Sequence, residues 1–410
     1  MRRDTAAEIA AIREHFPILN QRIGKNPLIY FDNAATAQKP EAVINAIDSY
    51  YREYNANIHR GAHFLADKGT AAYEAARETI RNFIGASESS EVIFTSGTTT
   101  GINMLASGFA QNMLKKGDEI LLSEMEHHAN IVPWQMACQR SGAVIKVIPV
   151  TDRGELDLEA AEKLISDKTK VLSITQVSNA LGTINPVKNL LEKARAAGIV
   201  TILDCAQAVA HFRLRVQESG ADFVVFSGHK VFGPTGTGIL WGRRAMLENL
   251  PPFLGGGEMI KEVRFENTTF NELPFRLEAG TPHIAGGIGL GAAIRWLEVQ
   301  DEVLLATQEK NLLEKATSII QSFKGLCIIG SSTQKASVVS FVSDKAHPSD
   351  IGTLLDQQGI AVRTGHHCCQ PLMRRFQVPG TVRVSLAFYN TEEELVAFEK
   401  ALSRVLNMLG

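Results

Sequence analysis

The 410-residue chain lacks a charge imbalance: 42 Lys and Arg stand against 44 Asp and Glu, a formal net charge of −2. With no basic stripe and no interleaved aromatics, there is no electrostatic footprint for nucleic acid or an anionic membrane surface. Small molecules or other proteins are the expected partners. Long hydrophobic runs are missing too, and no apolar stretch approaches the ~20 residues that cross a bilayer. The opening Met1-Arg2-Arg3 is followed by Asp4, Glu8 and Glu14 rather than by an apolar segment, which argues against a signal peptide. Cysteine is scarce: five residues, an odd and scattered set, do not make a disulfide framework. A reducing cytoplasm is the expected compartment. Low-complexity segments and repeats of solenoid length are also lacking.

What is present is an ordinary globular composition, 45% hydrophobic and 21% charged. The length suffices for a large core and two domains. Thr5 and Glu8 have the spacing of a capping box, and Ile9, Ile12 and Phe16 share one helical face, predicting a docking helix ended by Pro17. Leu28 to Phe31 reads as a strand leading to the small-residue loop Asp32-Asn33-Ala34-Ala35-Thr36. Residues 40–54 read as helix, interrupted by Asn57-Ile58-His59-Arg60-Gly61.

Between residues 90 and 240 one unit recurs: a short apolar strand, a polar or glycine-rich turn, then a helical stretch. Val92 to Phe94 leads to Gly97-Thr98-Thr99, and Glu119 to Leu122 leads to Glu126-His127-His128-Ala129-Asn130. Val171 to Thr175 leads to Ser178-Asn179, and Val200 to Leu203 to Asp204-Cys205-Ala206-Gln207. Phe223 to Phe226 leads to Ser227-Gly228-His229-Lys230. Such alternation predicts an α/β fold with a parallel sheet covered on both faces, whose ligands sit at the carboxyl ends of the strands. The five polar clusters are therefore expected to converge on one crevice. A glycine- and alanine-rich helical stretch, Ala285 to Glu298, leads away from this sheet, and the domain boundary is placed near residue 295. Beyond it, strands at Val338 to Val342, Ile360 to Arg363 and Thr381 to Leu386 and helices at Ser349 to Gln357 and from Thr391 onward predict a smaller α+β domain. Thr391 and Glu394 again have capping-box spacing, followed by the stripe Leu395, Phe398, Leu402 and Val405.

A lysine just past a buried strand, backed by Gly233, Pro234, Gly236 and Gly238, favours its neutral, nucleophilic form and can form a Schiff base. Alone, Lys230 reads as a solvated surface residue, but the other strand ends supply what pyridoxal phosphate needs and reverse that reading. Asp204 can keep a pyridine nitrogen protonated or can simply cap a helix. Gln207 reaches for a ring hydroxyl. Gly97-Thr98-Thr99 opens a predicted helix, Gly101 to Ser107, and offers a phosphate its amides and hydroxyls, or is ordinary capping chemistry. Ser227 and His229 complete such a cradle, and His127 is the candidate for stacking on the ring and moving a proton; His128 is given no role. In the second domain, Arg363-Thr364-Gly365-His366-His367-Cys368-Cys369-Gln370-Pro371 places Cys368 in a loop among histidines, a setting for a reactive thiolate, although buried inert cysteine is commoner. Arg383, between Val382 and Val384, is a fork for a carboxylate or one half of a surface ion pair. A metal site at His366-His367-Cys368-Cys369 is disfavoured, because adjacent residues rarely chelate one ion tetrahedrally and no second Cys-x-x-Cys half exists.

Together, Ser-Gly-His-Lys at 227–230, Glu-His-His-Ala-Asn at 126–130, Asp-Cys-Ala-Gln at 204–207 and Arg-Thr-Gly-His-His-Cys at 363–368 resemble the group II, Suf-type cysteine desulfurases and the related selenocysteine lyases of the class V aminotransferase-like family. The likeness runs from about residue 15 to the end, through Ala-Gly-Thr-Pro at 279–282 and Leu-Ala-Phe-Tyr-Asn-Thr at 386–391. It implies PLP fold type I: a large domain, residues 18–294, with a mostly parallel seven-stranded sheet, and a smaller unit of residues 1–17 and 295–410 carrying the nucleophile loop. It implies a homodimer that takes sulfur from L-cysteine, leaves alanine and passes a persulfide to a SufE-like or SufU-like acceptor for iron-sulfur cluster assembly. By position it makes Lys230 the imine-forming lysine, Asp204, Gln207 and His127 the ring contacts, and Thr98, Thr99, Ser227 and His229 the phosphate site, completed by Thr281 of the partner subunit. Asn179 and Arg383 would hold substrate, Cys368 would take the sulfur, and Arg363, His59 and Arg60 would line the same pocket. A selenocysteine lyase or another β-eliminating enzyme of this fold is the alternative. Two departures stand out: Cys369 and Cys205 occupy positions where relatives carry a small residue, and Cys369 either accepts the persulfide or packs.

Overall fold

The computed structural model describes the backbone of residues 5–410 and side chains from Ala6 onward, so the Thr5 side chain of the expected capping box lies outside the described residues. The central sheet contains seven strands: β1 (Val92–Thr95), β2 (Glu119–Ser123), β3 (Val144–Ile148), β4 (Thr169–Thr175), β5 (Val200–Asp204), β6 (Phe223–Ser227) and β7 (Gly238–Gly242). Their order across the sheet is β1-β7-β6-β5-β4-β2-β3. From β6 to β3 every pairing is parallel. β5 and β6 are buried at every position, as strands covered on both faces must be.

β7 runs antiparallel to both of its neighbours, a strand that the alternation of strand and helix did not predict. Its first residue, Gly238, therefore lies beside the carboxyl ends of β1 and β6, opposite Thr95 and Ser227. A Cβ there would stand 2.6 Å from both the Gly97 Cα and the Phe226 carbonyl oxygen. Only glycine allows this approach, and it seats the turn at Gly97, itself at φ 145°. The following helix begins earlier and runs longer than expected, Thr98–Asn112 rather than Gly101 to Ser107. Thr98 and Thr99 thus belong to its first turn, where backbone N–H groups have no helical acceptor.

A second, antiparallel sheet is made of β8 (Leu326–Ile329), β9 (Val338–Ser343), β10 (Arg363–Gly365) and β11 (Thr381–Ser385), in the order β8-β9-β11-β10. Helices Glu302–Ser322, Pro348–Asp356 and Glu392–Leu409 back it, through a core that includes Leu312, Ile319, Phe341, Val384 and Phe398. The strand expected over Ile360 to Arg363 is two strands with different partners. Ile360–Ala361 pairs in parallel with Ile29–Tyr30, and Arg363 begins β10 on the far edge of the second sheet. The change of partner at Val362 brings Arg363 directly opposite Arg383.

The N-terminal helix ends at Glu14; Pro17 starts a separate 3-10 turn, Pro17–Asn20, instead of terminating the helix itself. Phe16 is fully buried against the rings of Phe232, Trp296, Phe388 and Tyr389. Helix Ile284–Glu298 is unbroken and packs on helices Glu41–Glu53 and Phe64–Ile84. Thr391 and Glu394 make both bonds of a capping box. Among the described residues, no helix is long and apolar enough to cross a membrane, and all five cysteines are free thiols.

Candidate active site

The carboxyl ends of β1, β2, β4, β5 and β6 open on one cavity of about 300 Å³. Its lining includes Thr98, Thr99, His127, Asn179, Asp204, Gln207, Ser227, His229 and Lys230 from the large sheet and Arg363, Cys368 and Arg383 from the second. Lys230 closes the 3-10 turn that follows β6. Burial pushes its amine down to about 8; the Asp204 carboxylate opposes that shift and Arg383 adds to it.

Asp204 is 3% exposed at the end of β5, and burial raises its carboxyl pKa against the opposing pull of the Ala206 N–H and of Lys230. One carboxylate oxygen accepts the Ala206 N–H at 2.8 Å, an Asx turn rather than the helix cap that was its alternative, since the next helix, Ala208–His211, has Gln207 at its N-cap. The Gln207 amide donates to the Ala34 carbonyl at 2.7 Å. His127 accepts the Ala129 N–H on Nδ1 at 3.0 Å, which leaves the proton of the neutral ring on Nε2. Burial, helped by Lys230, His128 and Arg383, pushes its pKa down to about 4. Beneath it, Glu126 accepts from Ser123 Oγ, Asn130 Nδ2 and the Thr175 N–H, locking the turn that carries His127 against β4.

Ser227 Oγ receives the Thr98 N–H at 2.9 Å and shares a hydrogen bond with Thr98 Oγ1 at 2.8 Å. Hydroxyls, a helix N-terminus and the neighbouring Thr99 form a cradle of the kind that binds a phosphate. The His229 carbonyl, immediately before Lys230, accepts from the Ala37 N–H, Thr36 Oγ1 and Lys39 Nζ. Three donors on one carbonyl fix the turn that aims Lys230.

The thiol is held in another way. Cys368 is exposed, and both it and His367 adopt left-handed backbone, φ 56° and 50°. Two such non-glycine residues cost on the order of 1–3 kcal/mol each and persist only if neighbours hold them. The Cys368 carbonyl accepts the His128 N–H at 2.7 Å, and the His128 ring accepts the Gln370 N–H at 3.1 Å. His128, given no role from sequence, thus pins the loop at Cys368 and again just beyond it, on both sides of Cys369. Asn179 Nδ2 donates to the His367 carbonyl at 2.7 Å, and its Oδ1 receives the Cys369 thiol at 3.0 Å. Cys369 is fully buried, and burial pushes its pKa up to about 12. Cys205 is likewise buried, its thiol donating to Gln176 Oε1 at 3.0 Å.

Two facing arginines would repel, and the structure answers with a residue that sequence reasoning passed over. Asp32 takes a bidentate grip from Arg363, with bonds of 2.8 to 3.1 Å, and one bond of 2.9 Å from Arg383. Arg383 is 2% exposed; Nη1 donates to the Asn179 carbonyl, and Nε is buried without a protein partner, a donor position suited to a carboxylate. The sequence signal was available: an acidic residue opening a small-residue loop after a strand, in a chain with two arginines assigned to one pocket.

His59, Arg60 and Thr281 are not brought to this cavity within one chain. His59 pairs with Glu74 at 2.9 Å and Arg60 with Glu258 at 3.2 Å. Thr281 sits between Gly280 and Pro282, which line a separate cavity with Tyr73 and Phe94. Nor do His366, His367, Cys368 and Cys369 converge: Cys368 is exposed, Cys369 faces Asn179, and the His367 ring bonds Thr381 Oγ1.

Residues 29–398 match the family described as Aminotransferase class-V. The chain belongs to that family. It is 48% identical over 398 residues to a cysteine desulfurase of Synechococcus elongatus, an alignment that takes in 97% of this chain and 64% of that protein, so the chain spans about two thirds of that relative's length. It is 47% identical over 406 residues to a probable cysteine desulfurase of Xylella fastidiosa, covering 99% of this chain and 97% of the relative. Its fold superposes on the crystal structure of the cysteine desulfurase CsdA (S-sulfonic acid) of Escherichia coli with a TM-score of 0.91, at 38% identity and over 98% of this chain and 99% of the other. Pyridoxal phosphate is the cofactor of this family member. The residues present fit it: a buried amine of lowered pKa, a buried carboxylate at the end of β5, a half-buried imidazole and a helix N-terminus dressed with hydroxyls.

Proposed function

We propose that this chain is a Suf-type cysteine desulfurase that converts L-cysteine to L-alanine and holds the sulfur on Cys368. The observation that supports the reading best is a buried amine of lowered pKa and an exposed thiol, Lys230 and Cys368, lining one cavity although they come from different sheets. When bound, the cofactor supplies an electron sink for charge that develops at the substrate α-carbon. Lys230 would hold the cofactor and would take the substrate α-proton on Nζ. With the cofactor bound, Asp204 would keep a proton on the ring nitrogen, Gln207 would contact the ring hydroxyl, and His127 would stack on the ring and move a proton at Nε2. Thr98, Thr99, Ser227 and His229 bind the phosphate, joined in a homodimer by Thr281 of the partner subunit; His59 and Arg60 belong to the same intersubunit arrangement.

Arg383 and Asn179 orient the substrate carboxylate, with Arg363 beside them. The Cys368 thiolate attacks the substrate sulfur; a sulfur–sulfur bond forms, the carbon–sulfur bond breaks, its electron pair stays with the carbon skeleton, and protonation yields alanine. The persulfide passes to a SufE-like or SufU-like acceptor for iron-sulfur cluster assembly in the cytoplasm. Residues 18–294 act in this reading as the cofactor-binding unit, and residues 1–17 with 295–410 as the unit that carries the nucleophile. The test is to incubate the purified protein with L-cysteine, with and without a candidate acceptor, and to measure alanine and sulfide. Stoichiometric alanine that rises with acceptor supports the reading; no alanine, or full turnover by Cys368→Ala, overturns it.

A further inference from the structure

A carboxamide presents a donor at one end and an acceptor at the other, so a neighbour of fixed role, such as a carbonyl that can only accept, decides which end faces where, and a thiol, a better donor than acceptor, reinforces the choice. Asn179 has such a neighbour. Its Oδ1 accepts the Cys369 thiol at 3.0 Å, its Nδ2 donates to the His367 carbonyl at 2.7 Å, and its own carbonyl receives Arg383 Nη1 at 2.9 Å. The side chain is 8% exposed and lines the cavity. Rotating the amide by half a turn would set its oxygen against the His367 carbonyl, losing that bond, and would exchange the thiol's donation for a weak N–H···S contact.

We propose that Cys369 is a positioning residue: together with the His367 carbonyl, its thiol orients the Asn179 amide so that nitrogen, not oxygen, is offered to the substrate carboxylate, and through Asn179 it holds the His367–Cys368 segment in place. This deepens the desulfurase reading and rests on it. The thiol is not placed to relay sulfur, since it is fully buried and faces Asn179 rather than the cavity that Cys368 lines. Cys369 therefore does more than fill space. A pure packing role and a donor role make opposite demands on the side chain. Packing is satisfied by Ala or Val and offended by the hydroxyl of Ser, whereas the donor role is satisfied by Ser and lost in Ala and Val.

The experiment compares Cys369→Ser, Cys369→Ala and Cys369→Val in the full-length holoenzyme. One readout is the split between KM and kcat for L-cysteine. The other is the rate at which iodoacetamide alkylates Cys368 in the resting enzyme, followed by peptide mass spectrometry. In the Ala and Val variants KM rises about tenfold with kcat changed far less, and Cys368 alkylates about fivefold faster, the effects of an unsatisfied buried acceptor and a loosened loop. The Ser variant stays within about twofold of the parent on both counts. In an Asn179→Ala background, Cys369→Ala adds nothing to the alkylation rate, because the two residues act as one unit. Ala and Val variants that match the parent, or a Cys369 effect that persists undiminished without Asn179, overturn the proposal. If the parent forms no alanine from cysteine, the desulfurase reading fails, and the alkylation series still reports whether Cys369 ties down Cys368.

Discussion

Lys230 and Cys368 share a cavity but are positioned by opposite means. Lys230 follows a strand buried at every position, in a turn whose preceding carbonyl is fixed by three donors, and burial itself tunes its amine. Cys368 is exposed on a left-handed backbone, and its place is set by bonds to His128 and Asn179, which belong to the other sheet. The amine is thus placed by the core and the thiol by a clasp. Placement by the core suits a group that must lose its charge; placement by a clasp suits one that the proposed reading brings to a second protein.

The largest effects should break this pair apart. Lys230→Ala is expected to lower turnover by about 10⁴-fold or more and to abolish the visible absorbance of bound cofactor. Cys368→Ala should lower turnover with cysteine as severely yet leave that absorbance intact. Spectra of the two purified variants check the difference; equal loss of colour in both would mean that the thiol helps to hold the cofactor. Next comes Asp32→Asn, which leaves Arg363 and the buried Arg383 facing each other without a counter-charge. Loss of one partner from a buried ion pair costs about 3–5 kcal/mol, so denaturant titration should show a destabilisation of that order together with a raised KM. A shift below about 1 kcal/mol would place the pair in the class of exposed bridges.

The contrast in burial also has a pH signature. An ordinary lysine loses its proton near ~10.4, whereas Lys230 does so at about 8. At pH 8 about half of the Lys230 amine is free, against well under 1% of an exposed one, a difference of roughly a hundredfold. Reductive methylation of the cofactor-free protein should label Lys230 with a midpoint near 8. Between about 8 and ~10.4 the unfolded chain holds a proton that the folded chain has released, so stability should rise with pH through that window. Lys230→Met should flatten the rise. A midpoint in the range of exposed lysines would mean that burial does not govern this amine.

These contrasts also mark what could be read beforehand. The strand-end clusters at Thr98, His127, Asn179, Asp204 and Lys230 were legible because each combines an apolar run with a polar stop, and a parallel sheet gathers such ends by geometry. The antiparallel β7 was not legible, since its fully buried Gly-Ile-Leu-Trp-Gly run carries no mark of direction. The break at Val362 was hidden for a similar reason: an apolar run does not announce that it changes partners midway. Asp32 and His128 escaped because their work is done on residues more than 200 positions away, through bonds to Arg383 and Gln370. Helix Glu302–Ser322 was not among the expected elements, although its signals stand in the sequence. Asp301 caps it by accepting from Val303 and Leu304, and Leu305, Leu312, Ala316 and Ile319 line its buried face.

The smallest effect concerns a residue that one chain leaves outside the cavity. Arg60 is half exposed, and its Nε lies 3.2 Å from Glu258. The arginine is solvated and Glu258 keeps His59 as a neighbour at 3.8 Å, so the pair contributes about 0–1 kcal/mol, and Arg60→Ala should move the melting temperature by under about 2 °C. If Arg60 serves the cavity of the partner subunit in a homodimer, turnover should nonetheless fall clearly, with Cys368 alkylation unchanged. Loss of activity without loss of stability would extend the comparison across the dimer: a core that places the amine, a clasp that places the thiol, and a partner that completes the pocket. A fall in melting temperature as large as that of Asp32→Asn would instead make Arg60 a structural residue of its own chain, and the intersubunit part of the reading would lose its footing.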